Sequence, residues 1–148
     1  GMSNFTISLE GTPCPVSAQP VWLNICAWKV PAGFPSPAAD HVQSRIDLND
    51  HLIQNKEATF LFRVRGDSMM DIGIYEGDTL IVDRSVEPLH NHIVLAVLNN
   101  EFTVKRLYKR GGVVQLIPEN ATYPHHVIQS DDELRIWGVV TFNLHKLC

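Results

Sequence analysis

Short apolar runs separated by turn residues dominate the chain from residue 59 onward. Each run is too short for a typical helix and is rich in β-branched or aromatic residues, which predicts strands. Glycine, asparagine and aspartate pairs lie between several runs, and Asn99-Asn100 predicts a tight hairpin because asparagine tolerates positive φ. The sequence therefore predicts a mostly β fold, a compact barrel or sandwich, with these strands: TFLFRVR, TLIVD, HIVLAVL, EFTVKRLY, VVQLIP and LRIWGVVTF.

The first 37 residues have a different character. They hold six of the nine prolines and only two charged residues, Glu10 and Lys29. Proline at this density prevents helices and central strands, so we expect an extended arm. Its apolar residues, such as Trp22 and Trp28, indicate that the arm lies against another surface. In the following stretch, 36–53, we expect a short helix or turn-rich lead-in, with Ser36 as the cap and Pro37 at the first helical position.

Composition narrows the class of protein. A chain of 148 residues with a net charge of −4 predicts one domain and no direct DNA binding. The three cysteines, at positions 14, 26 and 148, lack metal-ligand spacing and indicate reduced thiols in a cytoplasmic protein. Because no apolar run reaches the roughly 18 residues that span a membrane, we expect no membrane association. Nothing in the sequence predicts a metal or another cofactor.

Ser68 is the first candidate for chemistry. It lies in FRVRGDSMMDIGIYEGDTLIVD, where Gly66 permits a tight turn directly after a predicted strand. A serine hydroxyl becomes nucleophilic only when a neighbouring base accepts its proton. The alternative is a surface turn without chemistry. Met69 and Met70 are expected to pack and keep the site dry, and the Gly77-Asp78 turn is expected to position the next strand.

The base could be a histidine or a lysine. None of the seven histidines forms a recognisable serine-histidine-aspartate signature. Lys105 lies within the apolar strand EFTVKRLY, and burial there would lower its pKa toward the range in which a neutral amine accepts a proton. Strand alternation places Lys105 on one face with Thr103 and Leu107. On composition alone, the favoured alternative is that Lys105 points to solvent.

Several segments together resemble the LexA/UmuD family of self-cleaving serine-lysine peptidases. They are GDSMMDIGIYEGDTLIVD, NEFTVKRL, GFPSPAADHVQSRIDLN, VQLIPEN and WGVV, in the family's order from about Gly33 to Val140. The separation of 37 positions between Ser68 and Lys105 also matches the family's pattern. The resemblance implies a LexA C-terminal-domain-like β fold, a Ser68 nucleophile and a Lys105 general base. The backbone N–H groups of Asp67 and Ser68 are the candidate oxyanion donors.

The resemblance also implies a substrate and partners. The matching scissile bond is Ala32-Gly33, which would divide the chain into an arm, 1–32, and a peptidase domain, 33–148. A homodimer, cleavage promoted by RecA filaments on single-stranded DNA, and a UmuC-like Y-family polymerase subunit are implied as well. The function would be to supply a truncated subunit of an error-prone translesion polymerase in the SOS DNA-damage response.

Three other functions remain possible from the sequence. A non-enzymatic polymerase-binding subunit would keep the fold and lose activity through geometry. A LexA-type repressor would need a basic helix-turn-helix region, which the proline-rich arm does not supply. A type I signal peptidase shares the chemistry but normally has a membrane anchor.

Overall fold

A computed structural model describes residues 13–16, 22–26 and 43–148, with side chains from 13–16 and 47–148. Its elements follow one another as ten strands, one short α-helix and two 3-10 helices. They are β1 (Cys14–Pro15), β2 (Trp22–Cys26), β3 (Gln43–Asp47), α1 (Leu48–Leu52), a 3-10 helix (Lys56–Ala58), β4 (Thr59–Arg63), a 3-10 helix (Met70–Ile72), β5 (Thr79–Asp83), β6 (Ile93–Leu98), β7 (Glu101–Arg110), β8 (Val113–Ile117), β9 (His126–Val127) and β10 (Leu134–Leu144).

Eight strands form one antiparallel sheet in the order β1-β4-β5-β10-β6-β7-β8-β9, and β2 pairs separately with β3. The mostly β prediction is confirmed, and all six predicted strands are present with small shifts of their ends. Asn99 and Asn100 have φ values of 49° and 68°, which confirms the hairpin between β6 and β7.

Strand β10 joins the two halves of the sheet. Its first part pairs with β6, its last part pairs with β5, and each register shifts once. Gly138 lies beside these shifts. A Cβ atom at this position would lie 2.6 Å from Cγ1 of Val82, so only glycine lets β10 pass this close to β5. The tight crossing holds the β4–β5 half against the β6–β7 half.

The first described part of the arm, residues 13–16, lies against the eight-stranded sheet. β1 forms the edge of the sheet and pairs with β4, and Val16 packs in a buried cluster with Leu61 and Ile81. This confirms the expectation of an extended arm for residues 13–16. The side chains of Trp22 and Trp28 lie outside the described residues, as does the boundary between the predicted arm and domain at residues 32 and 33.

Among the described residues of the predicted lead-in, 36–53, the helical part is short. The helix begins at Leu48 because the Asp47 carboxylate caps it, accepting a hydrogen bond of 3.0 Å from the Asn49 N–H. Residues 43–47 form strand β3 and pair with β2, so they are not available to a helix. Ser36 and Pro37 lie outside the described residues. Over the described ranges, no helix has the length and apolar character needed to cross a bilayer.

Candidate active site

The loop between β4 and β5 carries Ser68. Gly66 adopts a φ of +78°, a left-handed conformation that glycine reaches without strain, and turns the chain two residues before the serine. A single 3-10 turn follows over Met70–Ile72 and ends at Gly73, whose φ is +84°. We call residues 66–73 the serine loop. Its glycines are needed for this geometry, which fits the interpretation of Gly66 from the sequence.

A second loop, residues 119–123, holds the serine loop in place through its backbone. The Asp71 N–H donates to the Glu119 carbonyl at 2.7 Å, and the Ala121 N–H donates to the Asp71 carboxylate at 3.0 Å. The side chain of Asn120 donates to the Asp67 carbonyl at 2.9 Å. These bonds reach over about 50 residues of chain, so the position of the serine depends on the strand pairing of β7 and β8.

Lys105 lies next to Ser68. Its Nζ atom is 3.0 Å from the Ser68 Oγ, 2.6 Å from the Thr103 Oγ1 and 3.0 Å from the Val104 carbonyl oxygen. The expectation that Lys105 and Thr103 share a face of β7 is confirmed. The alternative in which Lys105 simply points to solvent is wrong, because its amine is partly buried and contacts Ser68 in the serine loop.

The surroundings of Lys105 favour its neutral form. Burial lowers the pKa of the Lys105 ammonium below its ordinary value. Among the described residues, no carboxylate forms an ion pair with it, and its three hydrogen-bond partners are neutral. A neutral amine can donate two protons, to Thr103 and Val104, and direct its lone pair at the Ser68 hydroxyl. This arrangement is the one that general-base activation of a serine requires.

A cleft of about 390 Å³ opens beside both residues. Ser68, Lys105 and Thr103 lie along it, and Phe62 and Phe102 form part of its apolar lining. The two phenyl rings are 6.1 Å apart between centroids. An extended peptide could enter this cleft and bring a carbonyl carbon to the serine.

The two methionines differ. Met69 is 2% exposed and packs in the core with Phe62 and Leu80, which confirms its packing role. Met70 is 41% exposed, so the expectation that it packs is wrong. The 3-10 turn that begins at Met70 directs consecutive side chains to different sides, and only Met69 faces the core.

The Gly77-Asp78 turn has the structural role that we expected. Gly77 adopts a φ of +89°, and the Asp78 carboxylate, 3% exposed, accepts hydrogen bonds of 2.8 Å from the Tyr75 N–H and from the Asn143 amide. His145 also contacts this carboxylate. Burial by itself would raise the pKa of Asp78, but the hydrogen bonds from Tyr75, Asn143 and His145 outweigh it, and the pKa is lowered.

The described histidines are not brought to the serine. Within residues 47–148, no histidine hydrogen bonds to Ser68, and no group of three histidine, cysteine or acidic side chains could hold a metal ion. His126, for example, pairs with Asp132 at 3.0 Å. Ala32 and Gly33, the predicted cleavage site, lie outside the described residues.

Comparison with known proteins identifies the family. A model described as Peptidase S24-like matches residues 20–141. The chain belongs to this family. Protein SamA of Salmonella typhimurium is 42% identical to it over 130 residues, covering 88% of this chain and 87% of SamA. Protein MucA of Escherichia coli is 43% identical over 123 residues, covering 81% of this chain and 84% of MucA.

The S24-like chain is also similar to a LexA repressor from Bordetella avium. Identity is 37% over 131 residues, which cover 88% of this chain and 61% of the repressor. Together these similarities confirm the resemblance to the LexA/UmuD family, which the quoted segments indicated.

Three side chains near Ser68 and Lys105 make contacts that the sequence did not predict. Thr103 contacts Lys105, Asn120 contacts the Asp67 carbonyl, and the Tyr123 hydroxyl donates to the Asp67 carboxylate. Asn120 is the last residue of VQLIPEN, one of the segments that resemble the family. That resemblance was therefore the sequence feature that could have indicated a role for Asn120.

Proposed function

We propose that this chain is a self-cleaving serine peptidase in which Ser68 is the nucleophile and Lys105 the general base. The observation that carries the proposal is the 3.0 Å contact between Lys105 Nζ and Ser68 Oγ, with Lys105 half-buried among neutral partners. Membership of the Peptidase S24-like family supports the same chemistry.

The reaction begins with a neutral Lys105. Its amine takes the Ser68 hydroxyl proton while the Oγ attacks a peptide carbonyl carbon, which we propose to be that of Ala32. The backbone N–H groups of Asp67 and Ser68 stabilise the oxyanion that forms. The Lys105 ammonium then returns the proton to the leaving nitrogen of Gly33. Water hydrolyses the ester left on Ser68, which frees the carboxylate of Ala32 and restores the serine.

A substrate that is part of the protein itself explains how an active site that acts only once can be sufficient for cleavage. A substrate in the same chain, or in the second copy of a homodimer, has a high effective concentration, so a modest site can still act once per molecule. Cleavage would divide the chain into residues 1–32 and 33–148. The cleft beside Ser68, with the rings of Phe62 and Phe102, offers an apolar surface for such a segment.

The biological setting follows from the family resemblance. We propose that the trimmed product serves SOS mutagenesis in the cytoplasm, joining a UmuC-like Y-family polymerase subunit for translesion synthesis. RecA filaments on single-stranded DNA would promote the cleavage. The similarity to SamA and MucA, which spans more than four-fifths of each of those proteins, supports this assignment over a LexA-type repressor.

Intact mass against time tests the proposal directly. At alkaline pH a larger fraction of Lys105 is neutral, so the wild-type chain should break at Ala32-Gly33 faster than at neutral pH, without any partner. Ser68→Ala and Lys105→Ala should both remain whole, because removing the nucleophile or base of a serine peptidase costs on the order of a million-fold in rate. A wild type that stays whole at every pH, also with RecA filaments added, would contradict the proposal.

A further inference from the structure

Asn120 is a buried polar residue that touches the peptide directly before the nucleophile. It is 8% exposed, and its Nδ2 donates to the Asp67 carbonyl at 2.9 Å. Its Oδ1 accepts from the Thr122 N–H at 3.0 Å and from the Thr122 hydroxyl at 2.8 Å. A backbone N–H can only donate and a carbonyl can only accept, so these partners fix which way the amide faces.

The Asp67 carbonyl therefore has two donors. Besides Asn120, the Met70 N–H donates to it at 3.2 Å. In a trans peptide the carbonyl and the following N–H point in opposite directions, so holding the carbonyl also sets the direction of the Ser68 N–H. Donors on the carbonyl polarise the peptide unit and strengthen that N–H as a donor. Within the described residues, the Ser68 N–H donates to no protein acceptor.

We propose that Asn120 is a positioning residue for the oxyanion site. It holds the plane of the Asp67–Ser68 peptide so that the Ser68 N–H faces the oxygen of the scissile carbonyl when negative charge develops there. Asn120 touches neither the substrate nor the reacting atoms, and it acts through that peptide. The inference rests on the proposed role of Ser68 as nucleophile.

Tyr123 provides a matched control because it binds the same residue at a different group. Its hydroxyl donates to the Asp67 carboxylate, whereas Asn120 donates to the Asp67 carbonyl. Tyr123→Phe removes one hydrogen bond between the same two loops. It leaves the hydrogen bond from Asn120 to the Asp67 carbonyl in place, so the Asp67–Ser68 peptide keeps its orientation. A loss of activity from loosening of the loops would appear in both variants, and a loss from a misdirected N–H only in the Asn120 variants.

Two substitutions separate positioning from anchoring. Asn120→Ala removes both sets of hydrogen bonds, whereas Asn120→Asp keeps an oxygen acceptor for Thr122 and replaces the donor that faces Asp67 with a second acceptor. If Asn120 only anchored its own loop through Thr122, the aspartate would rescue activity. If it positions the peptide, the aspartate is no better than alanine.

The experiment measures the rate of self-cleavage across pH by intact mass, with thermal unfolding of each variant alongside. We expect both Asn120 variants to lower the alkaline plateau about tenfold to hundredfold, somewhat less than deleting an oxyanion donor outright. In Asn120→Ala the pH midpoint should stay where the wild type has it, because Lys105 is untouched, and Tyr123→Phe should cleave within about twofold of the wild type. Full rescue by Asn120→Asp, a shifted midpoint in Asn120→Ala, or an unchanged plateau in both would overturn the proposal.

A second readout does not depend on cleavage. In an uncleaved Lys105→Ala background, Asn120→Asp should move the ¹³C resonance of the Asp67 carbonyl and the amide resonance of Ser68, and Tyr123→Phe should move them much less. Unmoved resonances would overturn the inference even if cleavage were slow. If the wild type never cleaves but the resonances move, the proposed function fails and the contact of Asn120 with the peptide stands.

Discussion

Lys105 and Asp78 are both withdrawn from solvent, yet their surroundings favour opposite charge states. The Lys105 amine meets two hydroxyls and a carbonyl oxygen, all neutral, so burial lowers its pKa and favours the uncharged form. The Asp78 carboxylate meets two N–H donors and His145, which lower its pKa and keep it charged. Burial alone therefore does not decide reactivity, because the partners decide which form is favoured.

The two centres also differ in what they hold together. Asp78 links the turn before β5 to the end of β10. It accepts hydrogen bonds from the Tyr75 N–H in that turn and from the Asn143 amide in β10. Lys105 is the one partner of the Ser68 hydroxyl that the described residues supply. The first centre stabilises the fold, and the second places a buried amine next to a hydroxyl.

Placing a carboxylate beside Lys105 should favour its charged form and so remove the contrast with Asp78. Of the changes at these two centres that leave Ser68 and Lys105 in place, it should have the largest effect on the rate of self-cleavage. In Thr103→Glu an anion could approach Nζ, and an opposite charge at this range raises a lysine pKa by roughly one to three units. Cleavage below the midpoint should therefore slow by about tenfold to a thousandfold, and the midpoint of the pH–rate profile should move upward. Thr103→Val, which removes the hydroxyl without adding charge, is the control. An unshifted midpoint in Thr103→Glu would mean that Lys105 is not the group that titrates.

Removing the charge at the other centre should reduce stability and leave the chemistry intact. In Asp78→Asn the new NH₂ group faces donors, so we expect the free energy of unfolding at neutral pH to fall by about 2 kcal/mol. The exposed carboxylate of Asp131 supplies the control, since Asp131→Asn should change stability by less than about 0.5 kcal/mol. Urea unfolding of Ser68→Ala backgrounds measures both without interference from cleavage.

The pH dependence of that difference has a defined sign. Because the pKa of Asp78 is lowered in the folded state, its contribution is complete above the unfolded value of about 3.9 and is lost as pH falls through the folded pKa. The stability gap between wild type and Asp78→Asn should therefore close in acid. If the difference in unfolding free energy between the two proteins persisted far below pH 4, the charge of Asp78 would not be its cause, and the shape of the side chain would matter more for stability.

The sequence predicted the strands well because their signals are local. The run TLIVD became β5 without a change of bounds, and positive φ at Asn99-Asn100 was predictable from two residues. The order of the strands was not predictable in this way. β10 lies between β5 and β6, and its close approach to β5 at Gly138 depends on contact with a residue 56 positions earlier in the chain.

In the candidate site, too, some features could be predicted from local sequence and others depend on long-range packing. Ser68 and Lys105 could be named from their surroundings in sequence and the family's segments, but composition alone favoured an exposed lysine. Its burial results from long-range packing of β7 against the serine loop. Thr103 lies two residues from Lys105, so strand alternation already placed both on one face. Asn120 and Tyr123 acquire their contacts with Asp67 only when distant loops meet, which no local pattern encodes.

Titration of the Lys105 side chain tests the central claim most directly. Nuclear magnetic resonance of selectively labelled lysine in Ser68→Ala, which cannot cleave, gives the pKa of this amine without reference to rates. We predict a pKa below the ordinary value near 10.4, and a midpoint that agrees with the pH–rate profile of wild-type self-cleavage. An ordinary pKa, or a midpoint that disagrees with the rate profile, would contradict the assignment of Lys105 as the base.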